Sequence, residues 1–126
     1  MGGSGPGPIL IVEDTEDHRD FLGVALRAAG YRVAYATDGQ DAFNRLESGL
    51  RPSLIILDVA MPRMDGFEFR ERQLADARFR DIPVIIVTAV KSETEVQRIF
   101  GVPGIQKPYL LDAVIDAVRT RVGNPA

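Results

Sequence analysis

The chain has 126 residues, 45% of them hydrophobic and 26% charged, with a net charge of −3, no Cys and one His. That length fits one domain able to bury roughly two thirds of its unfolded surface, so no disulfide or structural metal is needed to fold it. Thiol chemistry and thiolate zinc sites are excluded, a Ser-His-Asp triad is improbable with His18 alone, and the slightly acidic balance offers no nucleic-acid footprint.

Residues 1–8 are Gly, Pro and Ser apart from Met1 and have nothing to bury; they are read as a disordered lead-in or cloning remnant outside the fold. Ile9 to Val12 is a continuously apolar run ended by Glu13 and Asp14, as expected of a strand buried on both faces. Thr15 is placed to cap the next helix, with Glu16 and Asp17 in the first turn, where the helix dipole favours negative charge. Phe21, Leu22, Ala25, Leu26 and Ala29 recur at helical spacing, and Gly30 ends the pattern. Tyr31 to Ala36 reads as a second strand at the margin of the sheet, and Asp38-Gly39 as a turn. Ala42, Phe43, Leu46 and Leu50 give a second helical stripe ending before Pro52.

Leu54 to Leu57 is a third strand with Asp58 at its carboxyl end. A turn-rich loop over Met61 to Gly66 follows, then a helix over Phe67 to Ala77, with the charged run from Glu68 to Arg72 and Asp76 to Asp81 on a solvated face and its exit. Val84 to Val87 is a fourth apolar strand ending in Thr88, and a short polar helix is expected over Ser92 to Ile99. Gly101 to Gln106 leaves room for a brief fifth strand before Lys107-Pro108. Leu111, Val114, Ile115, Val118 and Val122 mark the last helix, and residues 123–126 a short tail. Five alternating strand and helix units with unalternating apolar strands predict an α/β, doubly wound parallel sheet over residues 9–122.

Ligands in such sheets sit beyond the carboxyl ends of the strands. The first strand delivers Glu13 and Asp14 there, the third Asp58, the fourth Thr88 and the fifth Lys107. Converging carboxylates repel unless one is protonated or a cation joins them, and all-oxygen ligands suit Mg²⁺. A carboxylate can also act as a nucleophile and carry an acyl phosphate, with a lysine, a hydroxyl and Mg²⁺ answering the phosphoryl charge. Asp58, which ends a central strand and opens the Pro- and Gly-containing loop, is the best nucleophile candidate.

Over Ile9 to Val122 the chain resembles the receiver domain of two-component response regulators. The matching pieces are Ile-Leu-Ile-Val-Glu-Asp at 9–14, Leu-Ile-Ile-Leu-Asp-Val-Ala-Met-Pro-Arg-Met-Asp-Gly-Phe-Glu at 54–68, Ile-Pro-Val-Ile-Ile-Val-Thr-Ala at 82–89, and Lys107-Pro108-Tyr109. Asp14 and Asp58 are 44 positions apart, and Asp58 and Thr88 are 30 apart, as in the family.

The resemblance implies a flavodoxin-like fold of five βα units with strand order 2-1-3-4-5. It makes Asp58 the acceptor of a phosphoryl group from a histidine kinase or histidine phosphotransfer protein. Glu13, Asp14, Asp58 and the backbone carbonyl of Ala60 would hold Mg²⁺, and Thr88 and Lys107 would bond the phosphoryl oxygens. Lys107-Pro108 would be a cis peptide, the exception that X-Pro makes cheap. Thirteen of the 15 basic residues are Arg, so a Lys at 107 supports a need for a compact ammonium.

Two features depart from the family pattern. The aromatic residue three positions before the Lys is replaced by Gly104, and the stretch from Thr88 to Lys107 is about three residues short, which predicts a reshaped fourth-helix region. The usual relay through a Thr-plus-aromatic pair is therefore in question, although the phosphorylation residues are intact.

Two further functions compete with the phosphorylated switch. One is an interaction module that works without phosphate, suggested by Gly104. The other is an aspartyl-phosphate hydrolase, disfavoured because Ala60 stands where such enzymes carry a second Asp. Ala60 also lacks a side chain to orient an attacking water, so a long-lived phosphoryl group is expected. His18 is read as an exposed residue early in the first helix and Tyr109 as packing. The expected setting is cytoplasmic, without membrane or nucleic-acid contact, signalling through a separate output protein.

Overall fold

A computed structural model describes residues 7–58, 66–88, 93–107 and 111–125. The elements alternate as β1 (Ile9–Val12), α1 (Glu16–Ala28), β2 (Val33–Ala36), α2 (Gly39–Glu47), β3 (Leu54–Asp58), α3 (Gly66–Leu74), β4 (Val84–Thr88), α4 (Glu93–Phe100), β5 (Gly104–Gln106) and α5 (Leu111–Val122). All strand pairings are parallel and the order is β2-β1-β3-β4-β5, the doubly wound arrangement predicted, with β2 at one margin.

The apolar strands divide their side chains between two cores because successive residues point to opposite faces. Leu10, Val12, Ile55, Leu57 and Ile86 face α2, α3 and α4, packing with Phe43, Leu46, Phe69, Val96 and Phe100. Ile9, Ile11, Ile56, Ile85 and Val87 face α1 and α5, packing with Leu22, Leu26, Val114 and Val118. Continuous hydrophobicity in β1, β3 and β4 thus reflects burial on both faces.

Several local expectations change. Thr15 stands at the N-cap position of α1 but makes no side-chain capping bond. Asp38 does cap: its Oδ1 accepts the Asp41 N–H at 2.8 Å, so Asp38-Gly39 opens α2 and is not a free-standing turn. Gly30, at φ +101°, closes α1 in the left-handed conformation that helix ends require.

The stretch after α3 is less solvated than its charges suggest. Phe79 is fully buried, with its ring edge-on to Phe43 at 5.6 Å between centroids. Gln73 is buried as well, and its amide donates to the carbonyls of Phe79 and Ile82 at 3.0 Å each, pinning that loop to α3. Gly7 and Pro8, which composition assigns to the lead-in, are held to the fold through Ser53, whose N–H donates to Pro8 O and whose hydroxyl donates to Gly7 O. Among the described residues no helix is long and apolar enough to cross a membrane.

Candidate functional site

Strand register places the site. Val12 pairs with Leu57 and Asp58 with Val87, so Glu13, Asp58 and Thr88 leave the sheet side by side at the carboxyl ends of β1, β3 and β4. Thr88 pairs with Gln106, and the Lys107 N–H donates to the Thr88 carbonyl at 2.7 Å, which carries the lysine to the same edge. Glu13, Asp58 and Thr88 are buried, whereas Asp14 is exposed.

Lys107 is the hub. Its Nζ donates to Glu13 Oε1 at 3.0 Å and to Asp58 Oδ2 at 3.1 Å. The ammonium is desolvated, which lowers its affinity for a proton, but the bonds and charges of the two carboxylates more than offset this and raise its pKa. Glu13 behaves oppositely for a carboxylate paired with a lysine. Its pKa is pushed up to about 7, by burial first and then by the nearby Asp58, with Lys107 pulling the other way. One ammonium does not balance two buried carboxylates.

A second cation would. Glu13, Asp14 and Asp58 each offer a carboxylate oxygen, and these atoms lie within 4.8 Å of one another. Their hard oxygen donors match Mg²⁺, and the raised Glu13 pKa is the electrostatic conflict that such an ion relieves.

The structure therefore brings together Glu13, Asp14, Asp58, Thr88 and Lys107. Ala60, Pro108 and Tyr109 lie outside the described residues, and with them the expected carbonyl ligand and cis peptide. Gly104 is described and has a physical reason. A Cβ built there would lie 2.6 Å from Val96 Cβ, so α4 sits directly on β5 with Val96 against the strand where the family aromatic would stand.

Two contacts add to the sequence reading. His18 is exposed early in α1, as expected, and its Nδ1 comes to 3.5 Å from Glu13 Oε1. Arg19 Nη1 donates to the Glu13 carbonyl at 2.8 Å and fixes the turn between β1 and α1. The available signal was their spacing: four and five residues past Asp14, they occupy the first turns of a helix that starts at the site.

Beside this edge, α1 exposes Phe21 and Val24, which are 58% and 65% accessible. They line an apolar groove with Ala25, Ala28 and Leu111, rimmed by Asp17 and Asp20.

Residues 9–119 match the model of the response regulator receiver domain. Response regulator MprA of Mycolicibacterium vanbaalenii is 35% identical over 119 residues, covering 90% of this chain and 49% of its own. The DNA-binding dual master transcriptional regulator RpaA of Synechocystis is 40% identical over 82 residues, covering 65% of this chain and 34% of its own. The chain thus spans about half the length, or less, of these curated relatives.

Among solved structures, the receiver domain of a signal transduction histidine kinase from Syntrophus aciditrophicus aligns at TM-score 0.81. It is 34% identical, with 92% of this chain and 89% of that one covered. Chemotaxis protein CheY4 of Vibrio cholerae aligns at TM-score 0.81 with 27% identity, covering 93% of this chain and 99% of that one.

Proposed function

The chain belongs to the response regulator receiver domain family, and from that premise we propose that it is a phosphorylation switch whose acceptor is Asp58. The observation that carries this reading is Lys107 Nζ bonded at once to Glu13 and Asp58, at the carboxyl edge of the sheet and beside Thr88.

In the proposed reaction a carboxylate oxygen of Asp58 attacks the phosphorus of a phosphohistidine on a partner. The new O–P bond forms as the P–N bond breaks, and the departing imidazole nitrogen keeps the electron pair and then takes up a proton. Lys107, already hydrogen-bonded to the Asp58 carboxylate, holds the nucleophile in place and answers the charge that gathers on the phosphoryl oxygens. The Thr88 hydroxyl donates to one of those oxygens once the phosphoryl group is in place. Glu13, Asp14, Asp58 and the Ala60 carbonyl would hold Mg²⁺, which supplies charge neutralisation at the transferring group.

The donor protein must reach Asp58 from outside, and the apolar groove on α1 begins at Asp17, three residues from the metal-ligand candidate Asp14. Continuity with the site supports this groove as the docking surface for the kinase or phosphotransfer helix, with Asp17 and Asp20 placed at its rim to meet basic residues. The output is a protein contact, made within a longer chain or with a separate protein.

Incubation with acetyl phosphate and Mg²⁺, followed by intact-mass measurement, tests the switch. One acid-labile phosphoryl group should appear on the wild type and be absent from Asp58→Ala. Equal labelling of the two proteins, or none on either, refutes it.

A further inference from the structure

We propose that a cleft at the end of the sheet opposite Asp58 binds a phosphate-type dianion. The cleft, about 450 Å³, opens where β4 and β5 enter the sheet and is lined by Arg70, Arg80, Asp81, Gln97, Pro103 and Arg121, among others. Its volume is that of a small-molecule site. Three guanidinium groups against the single carboxylate of Asp81 leave two positive charges, which one dianion balances and a monocarboxylate would not.

Arg70 is the anchor. It sits within α3, and its Nη1 donates to Gln73 Oε1 at 2.9 Å, while Gln73 is itself locked by the carbonyls of Phe79 and Ile82. That bond uses only Nη1. Arg70 Nε is buried and has no hydrogen-bond partner. An unpaired buried donor on a charged group is among the costlier polar defects in a fold, and one that a ligand oxygen repairs. Arg70 lines the cleft with its guanidinium held in place through Nη1, so a phosphate entering there meets a fixed positive charge that carries a donor with no partner within the protein.

Arg121, in the last turn of α5, also answers the negative end of that helix; Arg70, in the middle of α3, has no such use. Burial lowers the Arg70 pKa, a direction that a bound anion would reverse. The acidic cluster at Asp58 repels a free anion when no metal is present, so the two sites select different ligands.

The test is a titration of the whole metal-free ¹⁵N-labelled chain with inorganic phosphate at constant ionic strength. The Arg70 Nε–Hε resonance should shift saturably in the millimolar range. Arg70→Lys, which keeps the charge but removes the Nε donor, should weaken binding about tenfold or more, with circular dichroism reporting its fold. Arg121→Gln, at the surface, should also weaken binding and serves if the first variant unfolds. Absence of a saturable shift, acetate binding as tightly as phosphate, or unchanged affinity in the folded variants overturns the proposal.

Discussion

Gly104→Ala puts a number on the departure from the family pattern. The added Cβ would lie 2.6 Å from both Cβ and Cγ1 of Val96 and 2.9 Å from Cγ2, where carbon atoms prefer about 3.5–4.0 Å. Val96 is fully buried and β5 is held to β4, so neither side yields freely. Separating them by about 1 Å is an overpacking defect, typically about 1–3 kcal/mol. The lost flexibility of the unfolded chain returns about 0.4–1 kcal/mol, since Gly104 does not need positive φ. The net expectation is a loss of about 1–2 kcal/mol. With a urea m-value of about 2 kcal/mol/M, the middle of the usual range, the midpoint falls by roughly 0.5–1 M at unchanged m. In Val96→Gly/Gly104→Ala, where Cβ, Cγ1 and Cγ2 of residue 96 are all removed, the clash is relieved, so the double mutant should be more stable than the sum of single effects by about 1 kcal/mol or more. A midpoint for Gly104→Ala at or above wild type, or strict additivity in the cycle, refutes close packing of α4 on β5.

Lys107→Gln removes the ammonium shared by Glu13 and Asp58; acetyl phosphate labelling of Asp58 should slow by about 10²–10³-fold, read from the time course of intact mass. In metal-free protein the Glu13 carboxyl, with its pKa pushed up to about 7 from 4.5, keeps in the native state a proton that the unfolded chain has released. Its contribution is therefore fully present below pH 4.5 and lost as pH rises through 7. Urea midpoints should fall across that interval more steeply for wild type than for Glu13→Gln, and Mg²⁺ should flatten the wild-type slope; parallel curves would contradict this. Phe21→Ala/Val24→Glu should cut phosphotransfer from a partner kinase at least tenfold, while leaving labelling by acetyl phosphate within a factor of two.

Much of the fold is legible residue by residue because the pattern is local. Ile9 to Val12, Leu54 to Leu57 and Val84 to Val87 are apolar without alternation, which only burial on both faces explains, and parallel pairing follows. Glu13, Asp14, Asp58, Thr88 and Lys107 stand where these strands and β5 end, so a parallel sheet necessarily gathers them at one edge. Phe79 was not legible as core, because its neighbours Arg78 and Arg80 read as solvent-facing and only the contact with Phe43 shows where its ring goes. Asp38 reads as a turn residue in the sequence because turn and cap residues are the same types.

The 126 residues thus determine by themselves one α/β domain without thiols, the edge where its chemistry gathers, and an irregularity before Lys107. Tertiary structure alone decides how those groups meet. It aims one lysine at two carboxylates 94 and 49 positions away, leaves Glu13 with a pKa near 7, seats Val96 against Gly104, and buries Arg70 Nε unpaired at the far end. Each depends on distance and dielectric between segments remote in the chain. Periodicity reports which residues are buried, and only packing reports what they are buried against.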